Sequence, residues 1–280
     1  MKIKISSDST CDLSREQIER YHISILPLTV TVNDKNYLDG VDISPSQIYD
    51  HVAQGGDLPT TSANNIGQYQ EAFEGFLKEY DAVIHLNISS GFSSCYQNAC
   101  LAAGELENVY VVNSLNLSTG HGLLVLKACE MAESGMAPKA IADALNELAQ
   151  NVEASFILDK LEYLKKGGRC SAAAALGANL LKLKPCIEVT DGKMGVGKKY
   201  RGAFEKCLKE YITDRLQGRD DLDLSRIFIT HSGVSEDWLN IAKETIMDLQ
   251  NFEEICITRA GCTISCHCGP DTIGILFVKK

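Results

Sequence analysis

The sequence lacks three features that would define its compartment or partners. No apolar run approaches the roughly 20 residues of a membrane-spanning helix, which argues against stable membrane insertion. Basic residues are not in excess: 27 Lys and Arg against 37 Asp and Glu give a net charge of −10, which argues against nucleic acid as a partner. The start, MKIKISSDST, turns polar after five positions and lacks a secretion signal. We therefore expect a cytoplasmic protein.

The eleven cysteines lack the spacing of a disulfide framework or of a zinc site. Their number is odd and their spacing irregular, so free buried thiols are the favoured interpretation. The one dense cluster, Cys262-Thr-Ile-Ser-Cys266-His267-Cys268, has no CxxC pair, and side chains 266–268 would alternate between faces if extended. A metal module at this cluster is the least favoured alternative, and we expect no metal.

Catalytic motifs are also missing. No serine has the flanking glycines of a nucleophile elbow, and no zinc-protease helix or dinucleotide fingerprint is present. The segment GKMGVGKK at 192–199 nearly matches the P-loop sequence motif, but Lys199 stands at the position where a Ser or Thr would bind magnesium. We predict a β-hairpin there instead, because Asp191-Gly192 favours a type I′ turn.

A serine hydrolase or phosphotransferase is an alternative function. It would require Ser93 to meet His231 or His267 in space, since catalytic triads depend on geometry and not on chain order. For His231, at the end of a predicted strand, a hydrogen-bonded structural histidine is the favoured interpretation.

The length of 280 residues and the 45% apolar content suit two modest folded domains. Strands alternate with helices up to about residue 153, which favours a mostly parallel sheet flanked by helices. After that point the pattern becomes α+β, with a predicted helix over 172–181 and two strands after residue 249. The predicted fold is α/β, with an N-terminal domain over 1–153 and a C-terminal domain over 154–280.

Three clusters of hydroxyl side chains precede predicted helices: SDST at 7–10, TTS at 60–62 and SSGFSS at 89–94. Each could simply cap a helix, but one cap needs only one side chain. Taken together they favour a binding crevice at the carboxyl edge of the sheet, where a helix N-terminus beside Ser93 would suit an anion. Arg169, in LEYLKKGGRCS at 161–171, either belongs to a solvated basic turn or projects a forked cation into the crevice.

In order and spacing, these segments resemble the DegV family of bacterial fatty-acid-binding proteins. The resemblance rests on SDST, LPLTVTV, YLDGVDI, PTTS, SSGFSSCYQNA, LEYLKKGGR, LLKLKP and CHCGPDTIGILF, which together span nearly the whole chain. It implies a carrier without enzymatic activity or cofactor that buries one long-chain fatty acid in a tunnel between two domains. It also implies that the bound acid is presented to a separate ATP-dependent fatty acid kinase.

The same resemblance implies the binding residues. The Thr and Ser that hold the carboxylate fall on Thr61 and Ser93, and the nearby Arg and His fall on Arg169 and His267. The neighbouring hydroxyls of Ser62 and Ser94 complete the expected ligand-binding set, although Ser94 stands where relatives often have Gly. No nucleophile of the protein's own is needed for this function.

Overall fold

The structure is a computed structural model that describes residues 1–174 and 183–280. Its strands are β1 (Ile3–Asp8), β2 (Ser24–Leu26), β3 (Thr29–Val32), β4 (Lys35–Leu38), β5 (Thr60–Ser62), β6 (Ala82–Asn87), β7 (Val109–Asn113), β8 (Val152–Leu158), β9 (Leu183–Thr190), β10 (Lys193–Arg201), β11 (Leu222–His231), β12 (Glu254–Arg259) and β13 (Thr272–Lys279). Its helices are α1 (Arg15–Arg20), α2 (Pro45–Ala53), α3 (Ile66–Leu77), α4 (Cys95–Ala103), α5 (Ser118–Glu133), α6 (Pro138–Leu148), α7 (Glu162–Gly167), α8 (Ser171–Ala174), α9 (Phe204–Leu216), α10 (Glu236–Leu249) and α11 (Cys262–Cys268).

The N-terminal half contains the expected parallel sheet. Its strand order is β2-β1-β6-β7, and every neighbouring pair is parallel. All six residues of β6 are buried, as is typical of a parallel strand covered by helices on both faces. A second small sheet, β4-β3-β5, is antiparallel and carries the TTS segment on its edge strand β5.

The C-terminal half forms a sheet in the order β10-β9-β8-β13-β11-β12. Its neighbouring strands are antiparallel except β11 and β12. The α/β class with an α+β second half is therefore confirmed. The division between residues 153 and 154 falls inside β8 and stays a prediction, and the part of the predicted 172–181 helix beyond Ala174 lies outside the described residues.

The segment that approaches a P-loop is a hairpin. β9 and β10 pair antiparallel, and the turn between them has φ of +49° at Asp191 and +73° at Gly192. A type I′ turn needs positive φ at both central residues, which Asp-Gly tolerates. The hairpin prediction is confirmed.

Helix α5 packs between the parallel sheet and the six-stranded sheet. The core cluster around it joins Leu124 of α5 to Ile84 of β6 on one side and to Ala154 and Leu276 on the other. Eleven of its sixteen residues are buried, as expected of a helix covered on nearly all sides. This packing brings the carboxyl edge of the parallel sheet against the second half of the chain.

Candidate ligand-binding site

A cavity of about 310 Å³ lies beside the carboxyl edge of the parallel sheet. The residues that line it are Leu28, Thr61, Ser62, Ala63, Ile88, Phe92, Ser93, Ser94, Leu117, Arg169, Met194, Thr263, Ile264, His267 and Cys268. All six polar residues expected from the sequence are among them, although they come from four separate segments. The tertiary structure therefore brings the whole predicted set together.

Thr61 and His267 form a hydrogen-bonded pair in the wall of this cavity. Thr61 Oγ1 and His267 Nε2 are 2.8 Å apart, across 206 residues of sequence. Burial, and after it the positive charge of Arg169, lowers the pKa of His267 from 6.5 to about 4. The imidazole is therefore neutral at neutral pH, so it can donate one hydrogen bond and accept another.

Ser93 lies at the N-terminus of α4, where the sequence placed it. Its Oγ accepts a 3.3 Å hydrogen bond from the Cys95 N–H and lies 3.0 Å from Cys95 Sγ. Ser94 occupies the N-cap position, but its side chain makes no capping bond and is exposed. Burial raises the pKa of Cys95 to about 12, so its thiol keeps its proton and is not a thiolate nucleophile.

Arg169 follows a glycine pair that explains its placement. An added Cβ on Gly167 would lie 2.6 Å from His267 Nδ1, and Gly168 has φ of +70°. The first glycine thus permits close approach to the histidine, and the second permits the left-handed turn after α7. Arg169 is exposed, donates from Nη1 to the Gly167 carbonyl at 2.9 Å, and lines the cavity at the same time.

The other serines of SSGFSS shape the loop between β6 and α4. Ser89 Oγ accepts the Gly91 N–H at 3.1 Å, and Ser90 Oγ accepts from the Asn113 amide at 2.8 Å. These two hydroxyls are used within the protein, whereas Ser93 and Ser94 border the cavity. The cluster therefore divides into a structural part and a cavity-facing part.

The SDST cluster does not line the cavity, so the expectation of one site built from all three hydroxyl clusters is wrong for residues 7–10. Asp8, at the end of β1, is fully buried and accepts the Ile88 N–H at 2.8 Å. Ser7 Oγ lies 3.1 Å from His121 Nε2, but both side chains are buried away from solvent. SDST supports the loop that carries Ser93 without contacting the cavity.

The cysteine cluster is a helix, which the sequence analysis missed. Residues 262–268 form α11, and Cys262 and Cys266 pack with Val30 and Ile48, whereas Cys268 faces the cavity. Seven residues rich in Cys, Ser and Thr have little helix propensity of their own, so the pattern gave no helix signal. Among residues 1–174 and 183–280, no group of three or more His, Cys, Asp or Glu side chains is arranged to hold a metal ion.

A second cavity of about 30 Å³ adjoins the first, and the two share Leu117, Ile264 and Cys268 in their walls. It extends toward Phe156 and Leu276 of the six-stranded sheet. These apolar residues could be recognised in the sequence only as core positions. His231 also borders this cavity, and its Nδ1 accepts the Gly233 and Val234 N–H groups, as expected of a structural histidine.

Comparisons with known proteins agree on one family. The model of the DegV family, described as an uncharacterised protein family, matches residues 2–280. A DegV domain-containing protein of Clostridium acetobutylicum is 34% identical over 100% of this chain and 99% of its own. The structure of a fatty-acid-binding DegV family protein from Thermus thermophilus covers both chains fully, with 31% identity and a TM-score of 0.91. A stearic-acid-binding protein from Eubacterium ventriosum has 26% identity and a TM-score of 0.84, over 99% of this chain and 98% of that one.

Proposed function

The chain belongs to the DegV family, and from this premise we propose that it binds one long-chain fatty acid with its carboxylate held among Thr61, Ser93, Arg169 and His267. The observation that carries the proposal is the presence of these polar groups, including the hydrogen-bonded pair of Thr61 and His267, in the walls of one cavity whose remaining lining is mostly apolar. The proteins from Thermus thermophilus and Eubacterium ventriosum, described as binding fatty acid and stearic acid, support the ligand class.

The polar groups meet the main physical difficulty of a buried fatty acid. A carboxylate taken out of water needs donors, or its desolvation is severely unfavourable. The hydroxyls of Thr61 and Ser93 are potential donors, and the N-terminus of α4 adds a positive dipole end. The Arg169 guanidinium can supply a forked pair of N–H groups at the exposed side of the cavity. Ser62 and Ser94 are further hydroxyls within the same wall.

The apolar walls suit the acyl chain. Leu28, Ile88, Phe92, Leu117 and Ile264 belong to one hydrophobic cluster around the cavity. Each methylene buried there contributes about 0.8 kcal/mol, less the cost of association and ordering. We propose that the second cavity, beyond Leu117 and Ile264, accepts the methyl end, so that the acid would lie in a tunnel between the proposed domains 1–153 and 154–280.

We further propose that the protein is a carrier and not an enzyme, and that it presents the bound acid to a separate ATP-dependent fatty acid kinase in the cytoplasm. The hairpin at Asp191-Gly192 argues against a phosphate-binding P-loop in this segment. The exposed position of Arg169 leaves the carboxylate end of the cavity next to solvent. No helix within the described parts of the chain is long and apolar enough to cross a membrane.

The test is to identify what the protein carries. Protein purified from cells is denatured, extracted with organic solvent and examined by mass spectrometry, and we expect a long-chain fatty acid close to one per chain. The same preparation is treated with a serine-reactive phosphonate and assayed for ATP turnover. Absence of bound fatty acid, together with no uptake of added palmitic or stearic acid, contradicts the proposal. Covalent labelling of Ser93 supports a serine hydrolase instead.

A further inference from the structure

Asp39 lies outside the cavity, yet it contacts the helix that forms one of the cavity walls. Asp39 is 4% exposed, and its Oδ1 accepts the Cys262 N–H at 2.7 Å while its Oδ2 accepts the Thr263 N–H at 3.1 Å. These are the first two N–H groups of α11, which have no acceptor within the helix itself. Asp39 therefore caps α11 from a position 223 residues away in sequence.

The same carboxylate also holds a second part of the cavity wall. Ser9 Oγ donates to Asp39 Oδ2 at 2.9 Å and accepts the Leu28 N–H at 3.1 Å. The Asp39 N–H in turn donates to the Leu28 carbonyl at 2.9 Å. Leu28 lines the cavity, so the hydrogen bonds of Asp39 connect this residue to the N-terminus of α11.

The start of α11 is fitted closely to acidic side chains. The Gly261 N–H donates to Asp12 Oδ1 at 2.8 Å. An added Cβ on Gly261 would lie 3.1 Å from Asp12 Oδ1 and 3.3 Å from Asp39 Oδ1. Burial raises the pKa of Asp12 to about 8, so near neutral pH its carboxyl group is largely protonated and accepts the Gly261 N–H less strongly than a carboxylate would.

We propose that Asp39 is a positioning residue for the ligand site, because it fixes the helix that presents Thr263, Ile264 and His267 to the cavity. A seven-residue helix is not stable alone and depends on its contacts and caps. Without the carboxylate, two buried N–H groups lose their acceptor and His267 loses its fixed distance to Thr61. The inference rests on the proposed binding of fatty acid and goes beyond the residues that contact it.

The test compares Asp39→Asn with Asp42→Asn, using palmitic acid as the probe. Asp42 is exposed, lies on the same loop, and accepts the Leu38 N–H at 3.1 Å instead of a contact with α11. Because Asp39→Asn keeps the size of the side chain but removes the charge and one acceptor, we expect palmitic acid to bind about tenfold more weakly. Asp42→Asn should bind within twofold of the original protein. Ser9→Ala is a milder second variant if Asp39→Asn does not fold, and we expect a loss of about threefold from it.

If Asp39 only stabilised the fold, its loss would lower stability without changing the position of His267. Two further measurements distinguish this case from the proposed positioning role. The ring nitrogen signals of His267, assigned with His267→Gln, should shift in Asp39→Asn while those of buried His85 and His121 stay unchanged. In a double-mutant cycle with Thr61→Val, the losses of affinity should be less than additive.

Affinity within twofold in folded Asp39→Asn, additive losses in the cycle, or equal losses in Asp42→Asn overturn the inference. If the unaltered protein binds no fatty acid, the proposed function fails by itself. The His267 ring signals then still decide whether Asp39 positions the helix, because that measurement needs no ligand.

Discussion

Ser89 Oγ donates a 2.8 Å hydrogen bond to the carbonyl of Gly192, across 103 residues of sequence. The bond joins the loop that carries Ser93 to the turn of the β9–β10 hairpin, which also supplies Met194 to the cavity. Gly91, two residues beyond Ser89, allows the approach, because an added Cβ there would lie 2.3 Å from the Gly192 oxygen. The two halves of the chain therefore meet at the cavity through a side chain–backbone hydrogen bond and the close approach of Gly91 to the Gly192 carbonyl.

The contact at Gly91 predicts the effect of a single methyl group. Gly91→Ala forces the hairpin turn away from the loop, and we expect a loss of about 1–3 kcal/mol in the free energy of unfolding and weaker binding of palmitic acid. Urea denaturation and a binding titration measure the two effects. The control is Gly75→Ala in α3, where an added Cβ meets nothing within 4 Å; it should be neutral or stabilising by up to about 1 kcal/mol. Equal stability and equal palmitic acid affinity in the two variants would contradict the close contact between Gly91 and the Gly192 oxygen.

The proposed carboxylate site predicts losses at two hydroxyls. Thr61→Ala and Ser93→Ala should each weaken fatty-acid binding by more than about 1 kcal/mol, the scale of a hydrogen bond to a charged group. Titration with palmitic acid gives the affinities, and Thr61→Ser should retain most of the binding. Thr60→Ala changes an exposed neighbour on the same strand and serves as the control. Unchanged affinity in both cavity variants would remove these residues from the site.

The buried imidazole of His267 predicts a pH dependence of stability. Burial lowers its pKa from 6.5 to about 4, so as the pH falls through this window the unfolded chain takes up a proton that the folded protein does not. The contribution of His267 to the free energy of unfolding is therefore fully present above pH 6.5 and is lost as the pH falls toward 4. We expect it to decrease by about 2 kcal/mol between about pH 7.5 and about pH 5.

Urea denaturation of the ligand-free protein at these two pH values measures whether the free energy of unfolding decreases on acidification, as we expect. His267→Gln should reduce the loss of stability on acidification relative to the original protein. His22→Asn removes an exposed imidazole and is the matched control. A loss on acidification as large in His267→Gln as in the original protein refutes the assignment.

The shared wall of the two cavities predicts how one substitution changes the preference for acyl chains of different length. Ile264 borders both cavities, so the larger side chain of Ile264→Phe should fill space at their shared wall and hinder access to the second one. We expect stearic acid to bind about fourfold more weakly, since the methyl end of its chain loses its burial site at about 0.8 kcal/mol per carbon group, while lauric acid is affected less. Competition binding with the two acids measures the ratio. The control is Ile257→Phe, because the Ile257 side chain is 42% exposed. If Ile264→Phe leaves the ratio of stearic to lauric acid affinity unchanged, the acyl chain does not reach the second cavity.

Local sequence patterns were sufficient to predict most secondary-structure elements and their order along the chain. Alternation of apolar strands and helices predicted the parallel sheet, and Asp191-Gly192 predicted the hairpin, because the φ angles that these residues tolerate are local properties. Motif order also identified the polar residues that border the cavity, including Thr61 and Ser93. The predictions of the sheet and the hairpin succeeded because each depends on neighbouring residues, whereas the binding role of Thr61 and Ser93 stays a prediction.

Which of these residues come into contact, and which residues support them, depends on long-range packing that the sequence patterns do not contain. SDST was expected at the site but does not line the cavity, because the Asp8 carboxylate is buried and bonded to Thr10, Asn87 and Ile88 within the fold. The helix α11 had no signal in its own composition and exists through contacts such as those of Asp39, 223 residues away. Capping and burial across such distances depend on how the chain packs, so no local pattern could predict that His267 would face Thr61.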